Sequence, residues 1–190
     1  AALHPCEVPG DGGSCRAGQN RVSGAAAVLW IRSARHPLRC LVRGFAALPR
    51  ISSTPMAESH GGRLAMELLA AVSDIQGQRE DVPRARRARI VGDNPQVVRY
   101  GAAQARLRVL ARQEPIDEGL EHAARLGWDL EWQLVRRRLN DEAHQCASAA
   151  ARWAASLLER GSHESQSYFD WGDGGRDGVL GLLTPAWPLC

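Results

Sequence analysis

The residues of this chain best suited to chemistry are its arginines, because all 24 cationic side chains are arginine and none is lysine. A guanidinium group presents a planar fork of donors that matches the oxygens of phosphate and carboxylate groups. Two clusters are candidates for contacts to nucleic-acid phosphates. Their members are Arg84, Arg86, Arg87 and Arg89 in the first cluster, and Arg136, Arg137 and Arg138 in the second.

The arginine excess has a simpler explanation than selection for phosphate binding. Arginine, glycine, alanine and tryptophan are residues of GC-rich codons, whereas lysine is missing and Phe and Tyr occur only twice each. The net charge of +3 and the isoelectric point near 8.8 are mild for a dedicated nucleic-acid domain. Nucleic-acid binding is therefore an alternative hypothesis and not the first one.

One form of this alternative is a helix-turn-helix motif between Leu120 and Leu139, with Gly127 at the turn. Its second helix would carry Arg136 to Arg138 toward phosphates or guanine edges. Four acidic residues on the same helix outnumber these three arginines and would repel phosphates. They are Asp129, Glu131, Asp141 and Glu142. An ordinary helical hairpin is the competing interpretation.

The sequence lacks the common catalytic motifs, including the nucleophile elbow, the Walker loop, the dinucleotide fingerprint and His-Glu-x-x-His. Potential metal ligands are scattered, with no Cys-x-x-Cys pair, and the pairs Glu118/His122 and Asp141/His144 place one histidine on each helix. We therefore expect no catalytic residue, no metal and no cofactor. An enzyme or metal protein with a scattered site remains the third alternative.

The elements that would position these residues read as helices between residues 58 and 162. Apolar residues at helical spacing from Leu64 to Ile75 predict a first helix. The pair Asn94-Pro95 predicts the capped start of a second helix, and Gly127 predicts the end of a third.

A long fourth helix is predicted from Asp129 to about residue 160, because apolar residues recur at steps of three and four. We expect this stripe to bind a protein partner or a second copy of the chain. Its members are Trp132, Val135, Leu139, Cys146, Trp153 and Leu157. The sequence thus predicts an all-α fold, a small bundle of about four helices with one long C-terminal helix. The predicted function is a helical protein-interaction or oligomerisation module.

The flanking segments differ in composition from this helical domain. Residues 1–57 are arginine-rich, with no acid after Asp11, which predicts a disordered or targeting-like segment. Residues 163–190 predict an irregular tail rich in Gly, Asp and Pro. The longest apolar run, Gly24 to Ile31, is too short to span a membrane as a helix. We expect a cytoplasmic protein, with organellar import through residues 1–57 as the alternative.

Overall fold

The architecture is a single mixed β-sheet with helices on both faces. The computed structural model describes residues 6–17, 20–33, 36–77, 87–172 and 175. The strands are β1 (Cys6–Ala17), β2 (Asn20–Ser33), β3 (His36–Leu48), β4 (Arg87–Gly92), β5 (Asp129–Leu134) and β6 (Gln166–Asp170). The helices are α1 (Thr54–Gly77), α2 (Pro95–Gly101), α3 (Leu110–Arg125) and α4 (Asp141–Glu159), with a 3-10 turn at Arg137–Leu139.

The six strands lie in the order β5-β4-β1-β2-β3-β6. Strands β1, β2, β3 and β6 pair antiparallel, whereas β4 pairs parallel to β1 and β5 pairs parallel to β4. Helix α1 covers one face of the sheet together with α3, and α4 covers the other face. Because β4 and β5 run parallel, their carboxyl ends lie at the same edge of the sheet, which is where parallel α/β sheets bind ligands.

The apolar run that opens at Gly24 forms the buried middle of the sheet. All side chains from Val22 to Leu29 are buried, since β2 lies between β1 and β3 and is covered by helices on both faces. A strand buried on both faces reads as a continuous apolar run and not as an alternating one. The run is a core strand of the fold.

Glycines in β1 let the two helical layers approach the same strand. A Cβ atom on Gly10 would lie 2.7 Å from the carbonyl oxygen of Gly61 in α1. On the opposite face, a Cβ atom on Gly13 would lie 3.1 Å from the backbone of Ala147 in α4. Strand β1 is therefore clamped between α1 and α4, and this fixes its backbone relative to both helices.

The predicted all-α bundle is wrong, and the error is largest in the predicted fourth helix. Residues 129–134 form strand β5, a 3-10 turn follows, and α4 starts only at Asp141. Alternating Leu130, Trp132 and Leu134 satisfy the period of a strand as well as part of a helical stripe. Pairing with β4 decided the outcome, because tertiary contacts override local periodicity in short segments.

The predicted interface stripe is also divided by this change, and the interaction module it implied is corrected. Trp132 lies on β5, Val135 follows the strand, and Leu139 is exposed in the 3-10 turn. Cys146 and Leu157 are buried against the sheet, with Trp153 partly buried beside them. The apolar face of α4 covers the fold's own sheet, so it is not available to a partner.

The sheet draws strands from all three segments defined by composition. Strands β1 to β3 come from residues 1–57, and β6 comes from residues 163–190. Of these, β6 pairs with β3 and stacks Tyr168 on Phe45, with ring centroids 4.8 Å apart. The boundary at 57/58 therefore falls inside α1, and the boundary at 162/163 falls between α4 and β6.

Two predicted helix boundaries are confirmed. Asn94 caps α2, because its side-chain oxygen accepts hydrogen bonds from the backbone N–H groups of Gln96 and Val97. Helix α3 ends just before Gly127, whose φ of +74° is the left-handed conformation that favours glycine. Within the described ranges, no helix combines the length and the apolar character needed to cross a membrane.

Candidate functional site

Four segments deliver polar groups to the edge of the sheet where β4 ends. Asp93 follows the last residue of β4, and Gly10 lies in the neighbouring strand β1. Glu58 lies near the start of α1, and Asn140 lies directly before α4. The starts of both major helices thus lie beside the end of β4 and the Gly10 region of β1, so side-chain oxygens from several segments meet there.

Asn140 joins three of these segments. Its Nδ2 donates to the carbonyl oxygen of Gly10 at 3.2 Å and to Oδ1 of Asp93 at 3.1 Å. Only 1% of Asn140 is exposed, which is rare for a polar side chain without several partners. This single amide group therefore sets the position of the Asp93 carboxylate relative to the backbone of β1.

Asn94 performs a second bridging role beside it. Its Oδ1 caps α2, while its Nδ2 donates a hydrogen bond to Oε2 of Glu58. Both groups of the amide are used, so the side chain cannot rotate without losing bonds to two helices. The Glu58 carboxylate is consequently tied to the start of α2.

A pocket opens between these groups. Glu58, Asp93 and Asn94 line its polar side together with Gly10, and Trp132 closes part of its apolar side. Its remaining lining consists of small and branched apolar residues, namely Gly62, Ile90, Val91, Gly92, Val97 and Val98. Two carboxylates at the rim of an apolar hollow make a concave, negatively charged recess.

Two ionisable groups on the helices around the recess have shifted pKa values. Burial, assisted by the nearby Arg63 guanidinium, lowers the pKa of His60, while Glu118 acts in the opposite direction. Burial and a hydrogen bond to Asp117 raise the pKa of Tyr100 to about 12. Both shifts favour the neutral form, so neither group adds charge to the recess near neutral pH.

The types of side chain at the recess decide which metal ion it could bind. Among the side chains that the structure describes, no three His, Cys, Asp or Glu groups form a metal-binding cluster. Glu58 and Asp93 nevertheless provide two carboxylates at one recess, and Asp11 follows Gly10 in β1, opposite Ala26 of β2. Carboxylate oxygens are the ligands that Mg²⁺ and Mn²⁺ prefer, so the residue types fit a hard divalent cation.

The second arginine cluster lies beside this recess. Arg136, Arg137 and Arg138 are exposed in the short connection that ends at Asn140. The guanidinium group of Arg137 lies against the His144 ring, 2.8 Å from its Nε2. The cluster lies on a turn and not on a groove-binding helix, because its segment connects β5 to α4.

The first arginine cluster lies at the opposite end of β4. Arg87 Nε donates to Asp129 at 3.1 Å, and Arg89 Nη2 to Glu131 at 3.2 Å, across the β4–β5 pairing. The other two predicted members, Arg84 and Arg86, lie outside the described residues. Because β4 runs from Arg87 to Gly92, this end of the strand is about 17 Å from its carboxyl end.

No family model matches the sequence, and comparison with curated proteins also finds no match. Solved structures do match. The N-terminal RNase H domain of a Mycobacterium tuberculosis protein, fused to maltose-binding protein, gives a TM-score of 0.58 at 16% identity, covering 83% of this chain and 99% of that one. RNase H1 from the archaeon Halobacterium salinarum gives 0.56 at 17%, covering 80% and 100%. This chain has an RNase H-like fold. LC11-RNase H1, solved in complex with an RNA/DNA hybrid, gives 0.56 at 17%, covering 78% and 98%.

The sequence did not reveal the recess, because an RNase H-like fold assembles it from distant parts of the chain. Its polar groups come from residues 10, 58, 93, 94 and 140, which are far apart in the chain and follow no short motif. One signal was present. Ile90-Val91-Gly92 is a short apolar run followed at once by Asp93 and a helix cap, which is the pattern of a strand that ends at a ligand-binding edge.

Proposed function

We propose that this chain is a nuclease that hydrolyses phosphodiester bonds in the RNA strand of an RNA/DNA hybrid, with a divalent cation bound at the recess. The observation that carries the proposal is the junction of Glu58, Asp93 and the Gly10 backbone at the open edge of an RNase H-like sheet. Clustered carboxylates would repel a polyanion unless a cation lies between them. A carboxylate recess suited to a phosphodiester substrate therefore implies a cation.

The residues that would hold this cation are Glu58 and Asp93, with Asp11 as the third candidate because its backbone lies at the same edge. A divalent cation bound there would neutralise charge that develops on the phosphate oxygens during hydrolysis and lower the pKa of a coordinated water. Hard oxygen ligands favour Mg²⁺ or Mn²⁺ over softer metals.

The chain's own groups orient the reacting centre. Asn140 holds Asp93 against β1, and Asn94 holds Glu58 against α2, so both carboxylates are restrained before a substrate arrives. Restraint of charged groups before binding removes reorganisation from the reaction step. The apolar lining behind them, including Trp132, limits the access of water to one side of the recess.

The exposed guanidinium groups of Arg136 and Arg138 would bind backbone phosphates of the hybrid. They lie in the connection that ends at Asn140, so a strand bound by them would pass the recess. Each phosphate contact by an arginine releases bound counterions, which makes the affinity fall with salt. We therefore keep the hypothesis of phosphate binding for the second arginine cluster, which lies on a turn and not on a groove-binding helix.

The proposal is tested by incubating the full chain with a fluorescently labelled RNA/DNA hybrid in the presence of Mg²⁺, Mn²⁺ or excess chelator. Duplex DNA and duplex RNA of the same sequence serve as parallel substrates. We expect cleavage of the RNA strand of the hybrid with either metal and none with chelator. Cleavage that persists in chelator, or no cleavage of the hybrid under any condition, would contradict the proposal.

A matched pair of variants assigns the activity to the recess. Asp93→Asn removes a carboxylate charge at the recess, whereas Asp74→Asn removes one at an exposed position of α1. We expect the first to eliminate cleavage and the second to retain it. Hybrid binding without cleavage by the wild-type protein would instead identify a nucleic-acid-binding module.

A further inference from the structure

Asn140 has a chemical peculiarity that hydrogen bonding within the described part of the chain leaves unexplained. Its Nδ2 donates to two oxygens, but its Oδ1 is buried and has no hydrogen-bond partner there. A buried carbonyl oxygen without a donor destabilises the folded state. A residue that serves only to fill space at this position would be better replaced by an apolar side chain of the same shape.

The orientation of the amide is dictated by its neighbours. Nδ2 faces the Gly10 carbonyl oxygen at 3.2 Å and the Asp93 carboxylate at 3.1 Å, and both can only accept hydrogen bonds. Rotation of the amide by half a turn would set Oδ1 against both oxygens. The donor must therefore point at Asp93, and the unpaired Oδ1 is the consequence.

The backbone around Asn140 is fixed from both sides. Its own N–H donates to the carbonyl oxygen of Arg137 at 2.8 Å, and its carbonyl oxygen accepts from the N–H of His144 at 3.0 Å. The first bond closes the 3-10 turn, and the second belongs to the first turn of α4. The side chain therefore projects from a rigid junction, as a group that must hold a distance should.

We propose that Asn140 is a positioning residue, whose amide group sets the distance between the Asp93 carboxylate and the β1 backbone and so holds the cation-binding oxygens in register. This inference rests on the proposed nuclease function. An amide does this without neutralising the carboxylate, whereas an arginine at the same place would compete with a cation for it. An aspartate would add a third oxygen facing Gly10 and Asp93 and would repel both.

The test compares the full-length wild type with Asn140→Leu and Asn140→Ser. Leucine keeps the approximate size and removes the donor, and serine is too short to reach both oxygens. Gln145→Leu is the matched control, because Gln145 is an exposed amide on α4 that bonds only to Asp141 among the described residues. Three quantities are measured: the Mn²⁺ affinity of the protein alone by calorimetry, kcat and KM on the hybrid, and the thermal midpoint of unfolding.

We expect Asn140→Leu to weaken Mn²⁺ binding and to lower kcat by about tenfold or more, as loss of a group that orients a metal ligand does. KM for the hybrid should stay within about twofold, because phosphate contacts are untouched. The thermal midpoint should change little, since removal of the unpaired oxygen offsets the loss of the donor to Gly10 and Asp93. Asn140→Ser should weaken Mn²⁺ binding in the same way, which keeps the test valid if the leucine variant does not fold.

Failure of the positioning role can be distinguished from failure of the proposed nuclease function. If the wild type binds Mn²⁺ and cleaves the hybrid, and both Asn140 variants match Gln145→Leu in Mn²⁺ affinity and kcat, the positioning role is wrong while the nuclease stands. If the wild type neither binds Mn²⁺ nor cleaves the hybrid, the proposed function is wrong and the positioning role fails with it.

Discussion

The two ends of β4 both gather acidic side chains, but different groups hold them. At the amino end, Asp129 and Glu131 are bonded by the guanidinium groups of Arg87 and Arg89. At the carboxyl end, Asp93 is bonded by the amide of Asn140. The same strand thus carries ion pairs at one end and an amide-bonded carboxylate at the other.

The two kinds of partner leave the carboxylates with different charges. A guanidinium group cancels the charge of its carboxylate, and such exposed pairs contribute little beyond cross-strand register. An amide fixes the direction of a carboxylate and leaves its charge in place. The carboxyl end of β4 therefore keeps negative charge that can attract a cation. At the amino end, the arginines neutralise the carboxylates.

The largest expected effect comes from removing a carboxylate charge at each end. Glu58→Gln at the recess should lower cleavage of the hybrid by more than about 100-fold, because loss of a metal ligand costs more than loss of a group that orients one. Glu131→Gln, which breaks the pair with Arg89, should change cleavage by less than about twofold. Steady-state kinetics with Mn²⁺ measures both. Equal losses in the two variants would remove the distinction between the ends.

The next effect concerns affinity for the nucleic-acid backbone. Replacing Arg136 and Arg138 together with glutamine should weaken hybrid binding and lower the slope of log K against log salt by about two, one for each phosphate that is no longer neutralised. Arg87→Gln should leave that slope unchanged, because its guanidinium is engaged with Asp129. Fluorescence anisotropy at several salt concentrations gives the slopes. An unchanged slope in the double variant would exclude the second cluster from the interface.

A smaller effect is expected in the pH dependence of stability, from a group on the α1 side of the recess. The pKa of His60 in the folded protein lies below the ordinary value of 6.5, with Arg63 and Glu118 as its charged neighbours. As pH falls through 6.5 the unfolded chain takes up a proton that the folded protein resists, so the stability is lost on the acid side. We expect His60→Gln to flatten the fall in unfolding free energy between about pH 7 and pH 5.

The control for this experiment is His163→Gln, at an exposed position. It should leave the pH dependence of denaturant unfolding as in the wild type. If the two variants behave alike, burial of His60 does not control acid stability.

The smallest effect is expected at the amino end of β4 itself. Arg87→Gln should change the unfolding free energy by about 0.5 kcal/mol or less, because the side chains of Arg87 and Asp129 are 80% and 69% exposed. Urea denaturation at low and high salt measures it. A loss well above 1 kcal/mol would mean that this pair stabilises the folded state more than an exposed ion pair should.

Local signals predict parts of this fold and fail where pairing decides the outcome. The Asn94 cap and the stop at Gly127 depend on one or two residues and are readable from the sequence. Trp132 and Val135 fit a helical stripe, so the sequence predicts a helix where strand β5 forms. Only the pairing of β5 with β4 separates the two interpretations, and strand pairing is not a local property.

The N-terminal strands are hidden by their composition. Alanine and glycine dominate the centre of β2, from Gly24 to Ala27, and neither residue favours strands. They are there because α4 approaches so closely that a Cβ on Gly24 would collide with the backbone at Ala150 and Ala151. The composition that suggests disorder is a requirement of close packing between helix and sheet.

The candidate site is unreadable for a related reason. Asp93 and Asn140 are 47 residues apart, and no motif connects them. What brings them together is the order of strands in the sheet, with β4 beside β1 and α4 returning across β1. A single sequence offers no local pattern from which that order follows.

Single-turnover cleavage of a labelled RNA/DNA hybrid in Mn²⁺ by the wild type, Asp93→Asn and Asp129→Asn tests the proposed function most directly. Both variants remove one carboxylate charge, at the carboxyl end of β4 and at its arginine-paired amino end respectively. We expect cleavage by the wild type and by Asp129→Asn, and none by Asp93→Asn. Cleavage by Asp93→Asn at the wild-type rate, or none by the wild type, would contradict the proposed function.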